Sequence, residues 1–226
     1  NDDDYDDNYS NGSLNKGIWV AKYPGSLGNS LKVSMISQGI SNFSAWPFAG
    51  EFDGAPGTSD YAVNLGKANY NDELHVAVID EDGLWTGTAG TVLETFAFVS
   101  QASDAKKTDG TTNYYKDVIN AQSEYIWWTD HDSTNLTNAG ESLASRTSAF
   151  DTHASAIDHS LAGGSDDNTP TAGEIALAYD LFEDAETVDV NLLFACPDAN
   201  GQETIAEDLI SIAEARKDLV AFVSPQ

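Results

Sequence analysis

Four histidines, a single cysteine and 37 acidic side chains are the groups with which this 226-residue chain could carry out chemistry. Catalysis needs such groups to converge in a fixed geometry. His75 sits in an apolar run that reads as a strand, the setting of a sheet residue rather than a catalyst. His131, His153 and His159 fall in a polar stretch, and the spacing of the last two places them on no common helical face for zinc. Cys196 would act as a nucleophile only beside a base that lowers its pKa. It follows an apolar run and precedes Pro197, with no base in sight, so an inert thiol is expected. The chain has no GxSxG elbow, no HExxH pair and no Walker loop. Gly87-Thr88-Ala89-Gly90 lacks the lysine and the strand-to-helix setting of a phosphate loop. With acids this abundant, some pair will always mimic a glycosidase dyad, and the pairing carries no information.

Two stretches come near a calcium loop. With Gly12 at the sixth position, Tyr9 falls where a ligand oxygen is required. Asp198, Asn200, Gly201 and Glu207 fit the third, fifth, sixth and twelfth positions, but Cys196 then occupies the first. The plainer reading is a loop entering a helix whose early acids complement the dipole. No catalytic, cofactor-binding or metal-ligating residue is assigned, no cofactor is expected, and the chain reads as a non-enzyme.

Composition narrows the partners. Against 37 acids stand 10 bases, a formal net charge of -27. Such a surface repels nucleic acid and anionic membranes, which attract basic patches. It keeps a chain soluble, complements a basic partner or suits a salty habitat. No apolar run approaches the roughly 20 residues of a membrane span, and no basic-then-apolar leader opens the chain. One thiol makes no internal disulfide. Apolar residues at 41% are enough for a core. The chain lacks an initiator methionine and closes on Pro225-Gln226 directly after an apolar strand, so a piece of a longer protein is expected.

The elements follow from periodicity. Residues 1–16, with Asp2-Asp3-Asp4-Tyr5-Asp6-Asp7, are too charged to bury and read as a flexible solvated segment. Ile18–Ala21, Leu31–Ile36 and Leu74–Asp80 read as strands, with a Pro-Gly turn after Tyr23. Glu81-Asp82-Gly83 reads as a hairpin turn that Leu84-Trp85-Thr86 follows back. In the loop 37–60, Trp46, Phe48 and Phe52 either pin the loop to the body or form an interface patch. Thr91–Val99 has an ambiguous period. Tyr114–Asn120 reads as a short helix and Glu124–Thr129 as an aromatic strand. Residues 131–168 read as a polar connector, with a marginal helix at Leu143–Ile157. Thr171 and Glu174 form a capping-box pattern ahead of a helix. Val188–Ala195 and Leu219–Val223 read as buried strands joined by a helix over Glu203–Lys217, a βαβ unit with parallel strands. The fold class is therefore mixed α/β (α+β): a mixed sheet with flanking helices, a β-rich part at 17–130, and an α/β part at 169–226 expected to be continuous with it in one domain.

Several stretches in order resemble the tail sheath proteins of T-even-like contractile phages. They are Val20-Ala21-Lys22-Tyr23-Pro24-Gly25-Ser26-Leu27-Gly28-Asn29-Ser30-Leu31, Val78–Gly83 with Thr91–Glu94, Asn113–Ile119, Ser123–Trp127, Leu161–Gly164, Phe182–Val190 and Ile212–Asp218 running to Pro225. Together they cover Gly17 to the C-terminus, and the acidic composition is closest to cyanophage-like members. The resemblance implies an interior fragment of a structural sheath subunit built of α/β domains, without cofactor or catalytic residue. It implies homo-oligomeric hexameric rings, stacked helically around a tail tube protein. The baseplate, the tail terminator and the tube are then the partners, with no nucleic acid contact and no membrane insertion. Location in the virion tail after assembly in the host cytoplasm follows, as does contraction that drives the tube through the host envelope. A sugar- or host-binding virion module is the alternative, resting on exposure of Trp46, Trp85, Trp127 or Trp128.

Overall fold

A computed structural model describes residues 2–12, 16–37, 43–195 and 202–223. They form two compact units, 1–166 and 167–226.

The first unit is β-rich. Helix α1 (Asp2–Asn8) precedes strand β1 (Trp19–Ala21) and strand β2 (Leu31–Ser37). Helix α2 (Asp60–Asn64), capped by the Ser59 hydroxyl on the Ala62 amide, leads to strands β3 (Glu73–Asp80) and β4 (Thr91–Ser100). Helix α3 (Tyr115–Gln122), strand β5 (Ile126–Trp128) and strand β6 (Ile157–Ser160) complete it. Strands β4, β3, β2 and β6 form one antiparallel sheet in that order, while β1 and β5 pair antiparallel in a second.

The period-2 pattern of β2 and β3 explains the layering, because alternate side chains point to opposite faces. Leu31, Val33, Met35, Leu74, Val76 and Val78 enter the main core with Val118 and Ile119 of α3 and with Trp19, Ile126 and Trp128. Ile36, Ala77 and Ile79 face the other way and are covered by Trp46 and Phe52, with Phe43 and Phe48 beside them. The aromatic loop is thus a lid on the back of the sheet. The Trp46 indole N–H donates to Ser34 Oγ at 2.9 Å, and the Trp46 ring meets Phe52 at 5.2 Å between centroids.

Four expectations are corrected here. Asp2–Asn8 is a helix rather than a solvated loop, because Tyr5 is a buried anchor within the acidic run. The hairpin after β3 does not turn back at Leu84. Residues 81–90 form a loop folded around the Asp80 carboxylate, and the return strand starts at Thr91. Leu143–Ile157 is not helical. Leu143 and Phe150 are buried one by one against Ala62, Ala102 and Ala105, and Ile157 opens β6 on the sheet edge. Finally, the strands of the second unit are shorter and less buried than their apolar runs imply.

That second unit comprises helix α4 (Ala172–Asp180), strand β7 (Leu192–Phe194), helix α5 (Gln202–Arg216) and strand β8 (Val220–Phe222). The capping box at α4 is complete: Thr171 Oγ1 accepts from the Glu174 amide, and Glu174 accepts from the Thr171 amide at 2.7 Å. Strands β7 and β8 pair in parallel across α5, as the βαβ reading expects. Ile205, Leu209 and Ile212 line the buried face of α5 and pack with Leu193 and Leu219. Cys196 and the loop to Gly201 lie outside the described residues, and with them most of the second calcium-like stretch.

Candidate functional site

The four histidines are dispersed, each engaged in its own local contacts. His75 is fully buried on the back of the sheet and stacks on Phe52 at 4.4 Å between centroids. Its Nε2 lies 2.8 Å from the Gly54 carbonyl, and its Nδ1 accepts the Phe98 amide at 3.0 Å. These contacts make it a neutral ring protonated at Nε2. Phe98 sits at φ 52°, so the strand irregularity that turns its amide inward is completed by this histidine. Burial pushes the His75 pKa down.

His131 is held between two phenols. Tyr115 Oη lies 2.7 Å from Nδ1 and Tyr114 Oη 3.1 Å from Nε2, and Trp128 Nε1 donates to Tyr115 at 3.1 Å. Burial lowers the His131 pKa and raises those of Tyr114 and Tyr115. His159 meets the buried Asp132 at 3.1 Å, whereas His153 is half-buried and contacts Ser155. No two histidines share a partner in these contacts. Among the described residues no group of three His, Cys, Asp or Glu side chains could hold a metal ion. Among them, too, no helix is long and apolar enough to cross a membrane.

A cavity of about 670 Å3 is lined by residues 16–21, Tyr23–Gly25, Gly28, Asn29 and 158–164. Its walls join two segments that carry the sheath resemblance. Asn29 exchanges two bonds with Gly164, donating from Nδ2 at 2.8 Å and accepting at Oδ1 at 2.7 Å. Asp166 accepts from the Ser26 amide at 2.7 Å and from the Ser26 hydroxyl. A Cβ on Gly164 would lie 2.1 Å from the Gly25 carbonyl oxygen, so close backbone approach demands glycine there.

Other resembling segments also meet. Asp80, at the end of β3, accepts from Ser30 Oγ at 2.7 Å, from the amides of Gly83, Trp85 and Thr86, and from Thr86 Oγ1 at 2.8 Å. Burial pushes its pKa up, but the bonds from Ser30, Thr86 and Trp85 outweigh it and hold the carboxylate at about 2. Glu94 accepts from Ser123 Oγ and the Glu124 amide, both at 2.6 Å, tying β4 to the approach of β5. In the second unit, Arg216 pairs bidentately with Asp218 and donates to the carbonyls of Phe182 at 2.7 Å and Val188 at 3.0 Å. Arg216 thereby joins the segment 182–190 to the segment 212–218.

The tryptophans are not an exposed sugar platform. Trp46, Trp127 and Trp128 are buried, and Trp85 is half-buried between Tyr23 and Tyr125 with its Nε1 buried and unpartnered. The exposed apolar surface lies elsewhere. On the β7–β8 sheet, Leu193 points to the helices while Leu192 (53% exposed), Phe194 (61%), Val220 (55%) and Phe222 (50%) point outward. Leu192 pairs with Val220 across the sheet, and the Phe194 and Phe222 rings stack at 5.1 Å. A strand pattern that reads as buried on both sides is therefore covered on one side only. This surface was masked in the sequence because a continuous apolar run does not tell which face is covered.

No protein-family model matches the chain. Over 140 residues it is 29% identical to the tail sheath protein of Salmonella phage ViI, an alignment that covers 62% of this chain and 18% of that protein. The chain is thus distantly related to a phage tail sheath protein.

Proposed function

We propose that this chain is part of the structural subunit of a contractile phage tail sheath and has no enzymatic activity. Copies of that subunit assemble as stacked hexameric rings around the tail tube. They contract on a signal from the baseplate and drive the tube through the host envelope. The tube protein, the baseplate and the tail terminator are the partners, the virion tail is the location, and a cyanophage-like source is the reading that the acidic composition supports.

The observation that carries this reading is the 140-residue similarity to a tail sheath protein. Its physical support is the outward face of Leu192, Phe194, Val220 and Phe222, because parallel sheets are ordinarily covered on both faces. Large apolar patches mark surfaces that work against other protein. Contraction of this kind stores energy in interfaces between rigid bodies, and it needs no reactive side chain.

Electron microscopy of the full-length protein tests the proposal. Rods of stacked six-fold rings are expected. Monodisperse monomers under every assembly condition would refute it.

A further inference from the structure

Both ring nitrogens of His131 meet phenol oxygens, and the direction of each hydrogen bond follows from the donors present. An indole N–H can only donate, so Trp128 Nε1 takes one lone pair of Tyr115 Oη at 3.1 Å. A neutral imidazole carries one N–H, so one nitrogen donates and the other accepts. With the proton on Nδ1, Tyr115 would accept twice. Its own O–H, on a ring only 2% exposed, would then have no acceptor among the described residues. With the proton on Nε2, Tyr115 donates to Nδ1, and Nε2–H donates to Tyr114, the less buried phenol. The lengths agree: 2.7 Å at Nδ1 suits an O–H donor and 3.1 Å at Nε2 an N–H donor. The result is a directed chain from Trp128 through Tyr115 and His131 to Tyr114.

This chain works for one protonation state only. A second proton on Nδ1 would set two donors, Nδ1–H and the Tyr115 hydroxyl, against each other. The ring has little room to turn away. Trp128 lies against it at 4.8 Å between centroids, and a Cβ on Gly140 would collide with Nε2. Gly140 is fixed in turn by its amide, which donates to the Gln101 carbonyl at 2.8 Å. From α3 and the residue before it, Tyr114, Tyr115 and Lys116 face the ring, with Asp117 beside Tyr114. From the segment after β5 come Asp130, whose Oδ1 accepts the His131 amide at 2.6 Å, and Asp132, which His159 of β6 holds at 3.1 Å. Burial and Lys116 oppose a charge on the ring, while Asp130 favours it. The Asp132–His159 pair and the buried Leu136 hold the rest of the segment, so a break at His131 is local.

We propose that the Trp128–Tyr115–His131–Tyr114 chain is an acid-sensitive latch: a proton taken up at His131 Nδ1 breaks the Tyr115 bond and loosens the turns at His131 and Gly140 from α3, and loss of that proton closes them again. The latch lies within the first unit and does not rest on the sheath reading.

The test is nuclear magnetic resonance on the complete 226-residue chain labelled with 15N. Above the His131 midpoint the ring is expected to show the Nε2–H tautomer. Through that midpoint the protection factors of the Trp128 indole N–H and the Gly140 amide are expected to fall at least about tenfold, while those of the β2–β3 ladder stay unchanged. Tyr115→Phe keeps the ring and removes a donor that only neutral His131 can use, so His131 is expected to titrate about one pH unit higher. Tyr114→Phe removes an acceptor that both forms use, and is expected to leave the midpoint unchanged or lower it. The tautomer and the protection factors are read on the unsubstituted chain, so they decide the matter even if a variant fails to fold. An Nδ1–H tautomer, protection that ignores the His131 midpoint, or a Tyr115→Phe chain titrating at or below the original midpoint would overturn the proposal.

Discussion

At the scale of single residues, the polar groups that draw attention in the sequence act as staples. Asp80 is the clearest case. A carboxylate with five donors around it is costly to remove, because each donor is left without a partner. Asp80→Ala is expected to destabilise the first unit by about 3 kcal/mol, read as a lowered denaturation midpoint at unchanged m-value. The depressed pKa means that this contribution is fully present above the unfolded-state value near 4 and is lost as pH falls towards about 2.

His75 and His131 set a second, earlier window. Both have lowered pKa values, so the unfolded chain binds protons that the folded chain refuses. Their stabilising contribution is complete above the unfolded value of about 6.5 and declines as pH falls below it. Urea melts between pH 8 and pH 5 are expected to show stability falling below about pH 6.5. A flat profile there would contradict the neutral, buried assignment of these rings. The groups facing His131 are Tyr114, Tyr115, Asp130 and Lys116, and those facing His75 are Phe43, Phe52, Phe98 and the Gly54 carbonyl.

At the scale of elements, strands β2 and β3 of the first unit and the helices of the second were legible because their periods are clean. Leu31 to Ile36 alternates and forms β2, while Thr171 and Glu174 announce the start of α4. What was not legible depended on long-range partners. The aspartates around Tyr5 read as solvated until Trp127 and Asn120, more than 100 residues away, supply the ring and hydroxyl contacts. The polar connector hides β6 because only the edge of β2 makes Ile157–Ser160 a strand. The absence of a candidate catalytic residue was a reading of spacing, and the staples formed by Asp80, Glu94 and Arg216 could be anticipated only as members of resembling segments.

The β7–β8 face gives this scale its own prediction. Phe194 and Phe222 are already half-exposed or more, so changing both to Ser should move the stability of the second unit by only about 1 kcal/mol. Leu209→Ala, at a fully buried position on α5, should cost about 2–5 kcal/mol. In the full-length protein the double serine variant is expected to fold with an unchanged circular dichroism spectrum and to lose assembly. Retained assembly would remove this face from the contacts.

At the scale of the whole molecule, the two units share an acidic character and bear their apolar surplus unequally. Among the described residues, eight of the twelve large apolar side chains that are exposed lie in residues 167–226. That distribution fits a chain whose second unit works packed against other protein, and the net charge of -27 discourages contact with nucleic acid. The chain matches 18% of the length of that tail sheath protein.

The most direct test is a cryo-electron-microscopy reconstruction of the assembled full-length protein. A hollow six-fold tube is expected, whose repeating unit contains the four-stranded β4-β3-β2-β6 sheet and the parallel β7–β8 pair, with the Phe194–Phe222 face covered by protein. A discrete, non-tubular particle, or a tube whose subunit lacks these sheets, would contradict it.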